Sequence, residues 1–174
     1  MKGKGMTLVE LLIAMVVLGV LAMAAVPAFQ SMLDDYRRRT VANEFLQALK
    51  TARTQAVIRH VPVVLRSHPR GWGWGWDIML DSRHRRSERA DLLYKHKLSN
   101  RPRMEANQWL RQEVRFDSLG AVTGYNGVAH PGTLYLCDPK YHVTHLRIIV
   151  SWTGRARIAE GFLRERDDLC RKTR

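Results

Sequence analysis

Two arginines near the C-terminus have a type and spacing suited to binding a polyanion. They lie in the segment Gly154-Arg155-Ala156-Arg157. On a β-strand, side chains two positions apart point to the same face, roughly 7 Å from each other, which is comparable to neighbouring phosphates along one nucleic-acid strand. Guanidinium groups match phosphate geometry, and Ala156 and Ile158 would face the core. The pair predicts a phosphate clamp, although a solvent-facing strand with two surface arginines has the same pattern.

The sequence around this pair is also basic. The 174-residue chain has a formal net charge of +13, which indicates nucleic acid, an anionic membrane surface, or only a solvated basic surface. The further predicted DNA contacts are Lys140, Arg147, Arg164, Arg166, Arg171, Lys172 and Arg174. Phosphate contacts of this kind predict salt-dependent affinity without sequence preference.

Aromatic and basic residues earlier in the chain give a second candidate surface. Trp72, Trp74 and Trp76 alternate with glycine and could stack on bases. Alternation on a strand would send all three to one face, and a face of aromatics favours a place in the core. The arginines of the segment 83–89 (RHRRSER) could contact phosphate, but a solvated loop is the simpler interpretation.

Metal-binding and catalytic patterns are weak in this sequence. Cys137, His142 and His145 have metal-like spacing, but no fourth ligand is evident. The motifs of serine hydrolases, phosphate-binding loops and zinc proteases are missing from the sequence. We therefore expect no metal, no cofactor and no enzymatic activity.

The candidate residues must be positioned by a β-rich C-terminal part. Residue composition predicts strands at Val61–Arg66, Asp77–Leu80, Leu92–Lys97, Val114–Phe116, Thr133–Cys137, His145–Trp152 and Arg155–Glu160. Thr153-Gly154 is predicted to form the turn of the last hairpin. The polar segment Asn100–Arg111 suggests a helical turn.

One long helix precedes the strands, from about Met6 to about Ile58, with a kink near Pro27 and an end before Pro62. An apolar stripe for packing on the strands comprises Phe29, Leu33, Tyr36, Val41, Phe45, Leu49, Ala52 and Ala56. The opposite, polar side carries Asp34, Arg37, Arg38, Glu44, Lys50 and Arg53.

The start of this helix is apolar enough to span a membrane. Residues 6–26 contain a single charge, Glu10, and about 20 apolar residues cross a bilayer. A carboxylate in such a span needs a partner. A secretory signal peptide usually has a shorter apolar core, and a plain anchor explains neither Glu10 nor the preceding glycine.

Gly5 followed by Met6-Thr7-Leu8-Val9-Glu10 resembles the prepilin signature of type IV pilins and type II secretion pseudopilins. The resemblance implies cleavage by a prepilin peptidase between Gly5 and Met6 and methylation of the new N-terminus. It also implies that Glu10 pairs with the N-terminal amine of a neighbouring subunit. Pro27 matches the kinking proline of the family, whereas Met6 departs from its usual phenylalanine.

Later segments resemble the FimT/GspH-type minor pilins: the tryptophan stretch followed by Asp81, Phe116 followed by Gly120, the strand ending at Cys137 and the late hairpin. This resemblance implies an α+β type IV pilin fold, with a long N-terminal helix on antiparallel sheet. The implied parts are a leader (1–5), a transmembrane and assembly half-helix (6–30) and a globular domain (31–174).

The Gly-Arg-x-Arg segment resembles the motif of the DNA-binding FimT minor pilins of natural transformation. The implied function is binding of double-stranded DNA without sequence preference, with other pilins, the prepilin peptidase and the inner membrane as further partners. The alternative is a structural or priming minor pilin, or a secretion pseudopilin, that binds no DNA. Paired arginines and high charge favour the first.

The resemblance also predicts location. The chain would cross the inner membrane once, with a periplasmic globular domain, and would enter a surface pilus after assembly. Lys2 and Lys4 agree with a cytoplasmic N-terminus, whereas the arginines at 37–39 argue the reverse. In an oxidising compartment Cys137 and Cys170 would form a disulfide that pins the basic tail beside the hairpin. The alternative is two separate thiols.

Overall fold

A computed structural model describes residues 7–81, 91–100, 102–124, 127–138, 144–161 and 169–172 of the chain. Several sequence predictions lie outside these residues. They are the leader with its cleavage site at Gly5 and Met6, the 83–89 loop, His142, and the predicted DNA contacts Lys140, Arg164, Arg166 and Arg174. The chain forms two compact units, Met1–Arg37 and Arg38–Arg174.

Helix α1 runs from Leu8 to Arg59 without a break at Pro27, close to the predicted bounds. At its start the Thr7 hydroxyl accepts a hydrogen bond from the Glu10 backbone N–H at 3.3 Å, which is the usual N-cap geometry. At its end His60 adopts a positive φ of 52°, a left-handed conformation that terminates many helices.

The first unit is the N-terminal part of α1, whose apolar side chains are exposed. By length and composition, α1 is long and apolar enough for a membrane span. Leu33 and Tyr36 are also exposed, so their predicted place on the packed stripe is wrong. Burial begins at Val41, in the second unit.

The second unit contains two antiparallel sheets, each with four described strands. The strands are β1 (Val63–Ser67), β2 (Gly75–Leu80), β3 (Leu92–Lys97), β4 (Met104–Ala106), β5 (Glu113–Phe116), β6 (Gly132–Cys137), β7 (Thr144–Val150) and β8 (Ala156–Glu160). The first sheet has the order β3-β2-β1-β5 and the second β4-β6-β7-β8. Helix α2 (Leu169–Lys172) follows β8.

The core of the second unit joins α1 to both sheets. Phe45 of α1 is fully buried and meets Trp72 and Trp76 edge to face, each at 5.1 Å between ring centroids. The Trp72 indole N–H donates to the Leu110 carbonyl at 2.8 Å. Apolar residues of α1, β1, β5, β6 and β7 complete one continuous cluster.

The tryptophan stretch differs from the predicted strand, because residues Trp72–Trp74 form a 3₁₀ turn before β2. Trp72 and Trp76 are in the core, as predicted, but Trp74 is only half-buried. The Arg70 guanidinium lies 4.7 Å from the Trp74 ring centroid, and His68 stacks on the same ring at 6.0 Å. Because of this turn, the Trp74 indole points away from the core, whereas in a regular strand it would share the core face with Trp72 and Trp76.

Two further predictions are corrected. The segment 100–111 contains the short strand β4, which pairs with β6, instead of only a helical turn. The polar side of α1 is partly covered, because Arg38 lies 2.7 Å from the buried carboxylate of Asp138 and Arg53 is half-buried. A polar side chain on a helix can therefore be a tertiary contact that periodicity alone does not reveal.

Candidate nucleic-acid interface

The hairpin β7–β8 presents the two arginines. Its three-residue loop, 152–154, is closed by Ser151, whose backbone N–H donates to the Arg155 carbonyl at 2.8 Å. Gly154 takes the left-handed position with φ 77° and donates to the Ser151 carbonyl at 3.0 Å. This is the usual three-residue hairpin loop, which needs a residue with positive φ before the return strand. The predicted turn at Thr153-Gly154 is confirmed.

The loop is held against α1 and the 117–120 turn. A Cβ on Gly154 would lie 2.0 Å from the Gly120 carbonyl oxygen, so only glycine allows this approach. The same oxygen accepts a 3.0 Å hydrogen bond from Arg53 Nε. The sequence analysis placed Arg53 on the solvent side of the helix and did not predict its hydrogen bond to Gly120. The sequence feature that could have indicated this contact is the presence of Gly120 and Gly154 in the two turns.

Arg155 and Arg157 are exposed, whereas Ala156 and Ile158 pack on the core. This is the alternation that the sequence predicts. Among the described residues, neither guanidinium has an ion-pair or hydrogen-bond partner. Because β8 is an edge strand of the second sheet, an elongated ligand can approach it from the side as well as from the face.

Arg147 of β7 lies on the same outer face. It pairs in register with Ala159, and Ile149 pairs with Arg157, so Arg147 and Arg157 are diagonal neighbours about 7–8 Å apart. Arg147 donates a long, 3.5 Å hydrogen bond to the Gly161 carbonyl. The outer face therefore carries three cations on two adjacent strands.

The nearest acidic side chain of β8 is engaged elsewhere. Glu160 forms a bidentate ion pair with Arg39 of α1. The hydrogen bond and the charge of Arg39 lower the pKa of the Glu160 carboxyl from its usual 4.5. In the register of the strand, Glu160 pairs with Leu146 of the inner face. It therefore does not neutralise Arg155 or Arg157.

The predicted disulfide between Cys137 and Cys170 is confirmed, with 5.5 Å between the Cα atoms. Cys170 lies beside the start of the β7–β8 hairpin, where its Sγ is 2.8 Å from the Thr144 hydroxyl, and not beside the turn that precedes Arg155. Cys137 pairs with Thr144 at the start of β7, whereas the Arg155 turn follows the end of this 7-residue strand, about 20 Å away at the usual rise. Helix α2 contacts β4 and β6, on the far side of the sheet from β8.

The remaining predicted DNA contacts stay predictions. Arg171 and Lys172 belong to α2, and their side chains lie outside the described part. Cys137 is consumed by the disulfide, which removes the sulfur ligand of the weak metal pattern. Glu10 has an exposed side chain, and its backbone completes the N-cap of α1.

Comparison with known proteins decides the family. A family profile described as "Type II transport protein GspH" matches residues 41–154, more than half of the chain. The chain belongs to this GspH family. A second profile, the prokaryotic N-terminal methylation motif, matches residues 1–26 and implies prepilin peptidase processing, membrane anchoring and assembly with other pilins. No curated protein sequence matches the chain.

Solved structures confirm the fold of this GspH-family chain. The type IV minor pilin FimU of Pseudomonas aeruginosa, crystallised in space group P65, aligns with a TM-score of 0.55 and 18% identity, over 70% of this chain and 91% of the crystallised chain. The P21 crystal form of the same protein aligns with a TM-score of 0.56 and 16% identity, over 78% of this chain and 94% of the crystallised chain. The α+β type IV pilin fold expected from the sequence is thus confirmed.

Proposed function

We propose that this GspH-family protein is a minor type IV pilin that binds extracellular double-stranded DNA, without sequence preference, for uptake in natural transformation. The observation that best supports this is the exposed pair Arg155 and Arg157. Within the described chain both guanidiniums lack a protein partner, and a glycine-dependent turn holds their strand in place.

The chemistry of the outer face agrees with a phosphate backbone as ligand. Arg155 and Arg157 are roughly 7 Å apart along β8, and Arg147 adds a diagonal third cation. Ile149 of β7, which pairs with Arg157, and Thr133 of β6, which pairs with Ile149, are uncharged. Arginine contacts to the phosphate backbone carry no base-edge information, so binding through these residues would be electrostatic and independent of sequence.

The N-terminal features fit the same proposal. The 6–30 half-helix would anchor the protein in the inner membrane, and the 31–174 domain would be periplasmic before assembly and on a surface pilus afterwards. Cleavage between Gly5 and Met6 would create an amine that the Glu10 carboxylate of a neighbouring subunit could pair with. DNA bound at the hairpin would then be carried by a polymer.

The second candidate is a structural or priming minor pilin, or a type II secretion pseudopilin, without DNA binding. The family that the chain matches is described as a type II transport protein, which favours this candidate. This candidate explains the membrane anchor and the fold. It does not explain why Arg155 and Arg157 are exposed on an edge strand without a partner among the described residues.

A salt titration separates the two candidates. The full-length chain, in an uncharged detergent, would be titrated with two unrelated duplexes while anisotropy reports binding. We compare Arg155→Gln/Arg157→Gln with the control Lys50→Gln/Lys97→Gln, which removes the same charge from exposed positions on α1 and β3. The control accounts for the long-range effect of net charge.

We expect similar affinity for both duplexes and a strong salt dependence. Loss of two phosphate contacts lowers the slope of log K against log salt by about 1.8. Between about 50 and 200 mM salt, the affinity of the unmodified protein would therefore fall about 12-fold more than that of the arginine variant. The lysine control should keep most of the slope. Absence of duplex binding near physiological salt, or equal slopes for the two variants, would reject DNA binding at this face.

A further inference from the structure

A cleft of about 880 Å³ lies in the second unit, beside the end of β1. Its walls are residues 66–69, residues 108–115 with the start of β5, residues 122–124 and His130. The volume is within the range of small-molecule sites. It suits single nucleotides or sugar rings rather than a nucleic-acid duplex.

A flat aromatic platform forms one wall of the cleft. Trp109 and His130 stack at 3.7 Å between centroids with only 9° between their planes. Trp109 nevertheless remains 46% exposed. Since His130 covers one face of the indole, the exposed area belongs to its other face and edges, where a planar ring can stack.

Cations surround this platform. Arg111 is exposed and, among the described residues, has no acidic partner, while Arg66 lies 3.1 Å from Glu113 and remains half-exposed. The buried Arg115 meets Glu113 at 2.8 Å and also pairs with Asp81. The charges of Arg66 and Arg115 are therefore balanced by Glu113 and Asp81, and Arg111 supplies the surplus positive charge. The cleft thus combines a stacking surface with an available cation, the pairing that binds single-stranded nucleic acid.

The cleft is connected to the arginine hairpin through the backbone. Val122, which lines the cleft, donates to the Trp152 carbonyl in the hairpin loop at 2.9 Å. The next residue, Thr123, donates to the Arg115 carbonyl at 3.0 Å. The cleft and the hairpin loop that precedes Arg155 are therefore adjacent.

We propose that the cleft binds unpaired nucleotides at the end of a DNA whose duplex part lies on Arg155 and Arg157. A base stacks on Trp109, and the adjacent phosphates contact Arg111 and Arg66. The ligand class is single-stranded DNA, because base stacking needs an unpaired base and the cleft is too small for a duplex. The inference rests on the proposed function for the duplex contact, but the cleft contact is tested separately.

The test uses the full-length chain in uncharged detergent and one hairpin duplex carrying a 3′ overhang of about ten nucleotides. The overhang is either thymidine or an abasic phosphodiester of equal length, so that charge is constant and only the bases differ. The variants are Trp109→Ala, the conservative Trp109→Phe, and Tyr94→Ala. Tyr94 is a matched control, an exposed aromatic on the opposite edge strand of the first sheet.

The thymidine overhang should bind about tenfold tighter than the abasic one. Trp109→Ala should abolish this ratio, Trp109→Phe should keep most of it, and Tyr94→Ala should leave it unchanged. Arg155→Gln/Arg157→Gln should weaken both ligands equally and preserve the ratio. If duplex binding is lacking altogether, free oligothymidine and its abasic counterpart give the same comparison.

Two results would overturn the proposal. One is equal affinity for the thymidine and abasic overhangs. The other is a thymidine advantage that survives Trp109→Ala in a protein whose thermal unfolding is unchanged. Polygalacturonate that binds in a Trp109-dependent manner, together with equal affinity for the two overhangs, would assign the cleft to an acidic glycan instead.

Discussion

Replacing Gly154 with alanine should loosen the turn that presents Arg155 and Arg157. Two costs combine. The left-handed conformation at φ 77° costs a residue with a Cβ about 1–2 kcal/mol. The new Cβ would also lie 2.0 Å from the Gly120 oxygen, where ordinary contact begins at 3.4 Å.

Relief of this clash requires the two turns to move apart, which disrupts the hydrogen bond from Arg53 to the Gly120 carbonyl. A hydrogen bond to a charged group contributes about 1.5–3 kcal/mol. The total destabilisation for Gly154→Ala is therefore about 2.5–5 kcal/mol. For a chain of this size, each kcal/mol lowers Tm by about 2–4 °C, so we expect a decrease of about 10 °C.

Gly127→Ala is the matched control. Gly127 also has a positive φ, 75°, but a Cβ there would meet nothing within 4 Å. Its substitution should cost only the conformational part, about 1–2 kcal/mol. Tryptophan emission reports unfolding of the second unit, because Trp72 and Trp76 lie in its core. Below both unfolding transitions, Gly154→Ala should also weaken duplex binding, whereas Gly127→Ala should not.

Equal destabilisation of Gly154→Ala and Gly127→Ala would contradict this prediction. In that case the approach of Gly154 to Gly120 would not constrain the hairpin, and the position of its arginines would need another explanation.

Three further predictions follow from contacts elsewhere. Reduction of the disulfide, which spans 33 positions, should lower the free energy of unfolding by about 4 kcal/mol in the chain-entropy estimate; unchanged urea unfolding after thiol treatment would contradict this. Arg38→Met should cost about 3–5 kcal/mol because Asp138 stays buried, and Arg38→Met/Asp138→Leu should recover most of that cost; chemical denaturation of both variants tests the pair. Glu160 has a folded-state pKa lowered by Arg39, so its ion pair stabilises the fold above about pH 4.5 and is lost as pH falls below this value; Arg39→Gln should raise the carboxyl pKa toward 4.5 in an NMR titration, and an unaltered titration would count against the pair.

Much of the architecture followed from local pattern. The long apolar run and its amphipathic continuation predicted α1 to within about two residues, and β-branched strands separated by turn residues predicted most of the sheets. The exposure of Arg155 and Arg157 also followed from alternation along β8. These features depend on residues that are close together in the chain, so they can be predicted from the sequence alone.

Errors arose where distant segments meet. Strand β4 lies in a polar segment and is explained by pairing with β6, a contact that local propensity does not encode. Trp74 leaves the core because its segment closes a 3₁₀ turn. Tyr36 is exposed although it continues the apolar stripe, since the packed part of α1 begins at Val41.

The sequence by itself predicted the apolar span, the arginine motif and, as one of two alternatives, the pairing of the two cysteines. Only the tertiary structure decided where the motif and the disulfide lie relative to one another within the second unit. It placed α2 about 20 Å from the hairpin turn, and it set Gly154 against Gly120 under Arg53. The physical reason is that both contacts join distant segments. Gly154 can approach Gly120 only because it has no Cβ, and the hydrogen bond from Arg53 to Gly120 joins residues 67 positions apart. Local spacing determines which face a side chain takes, whereas packing determines what that face is next to.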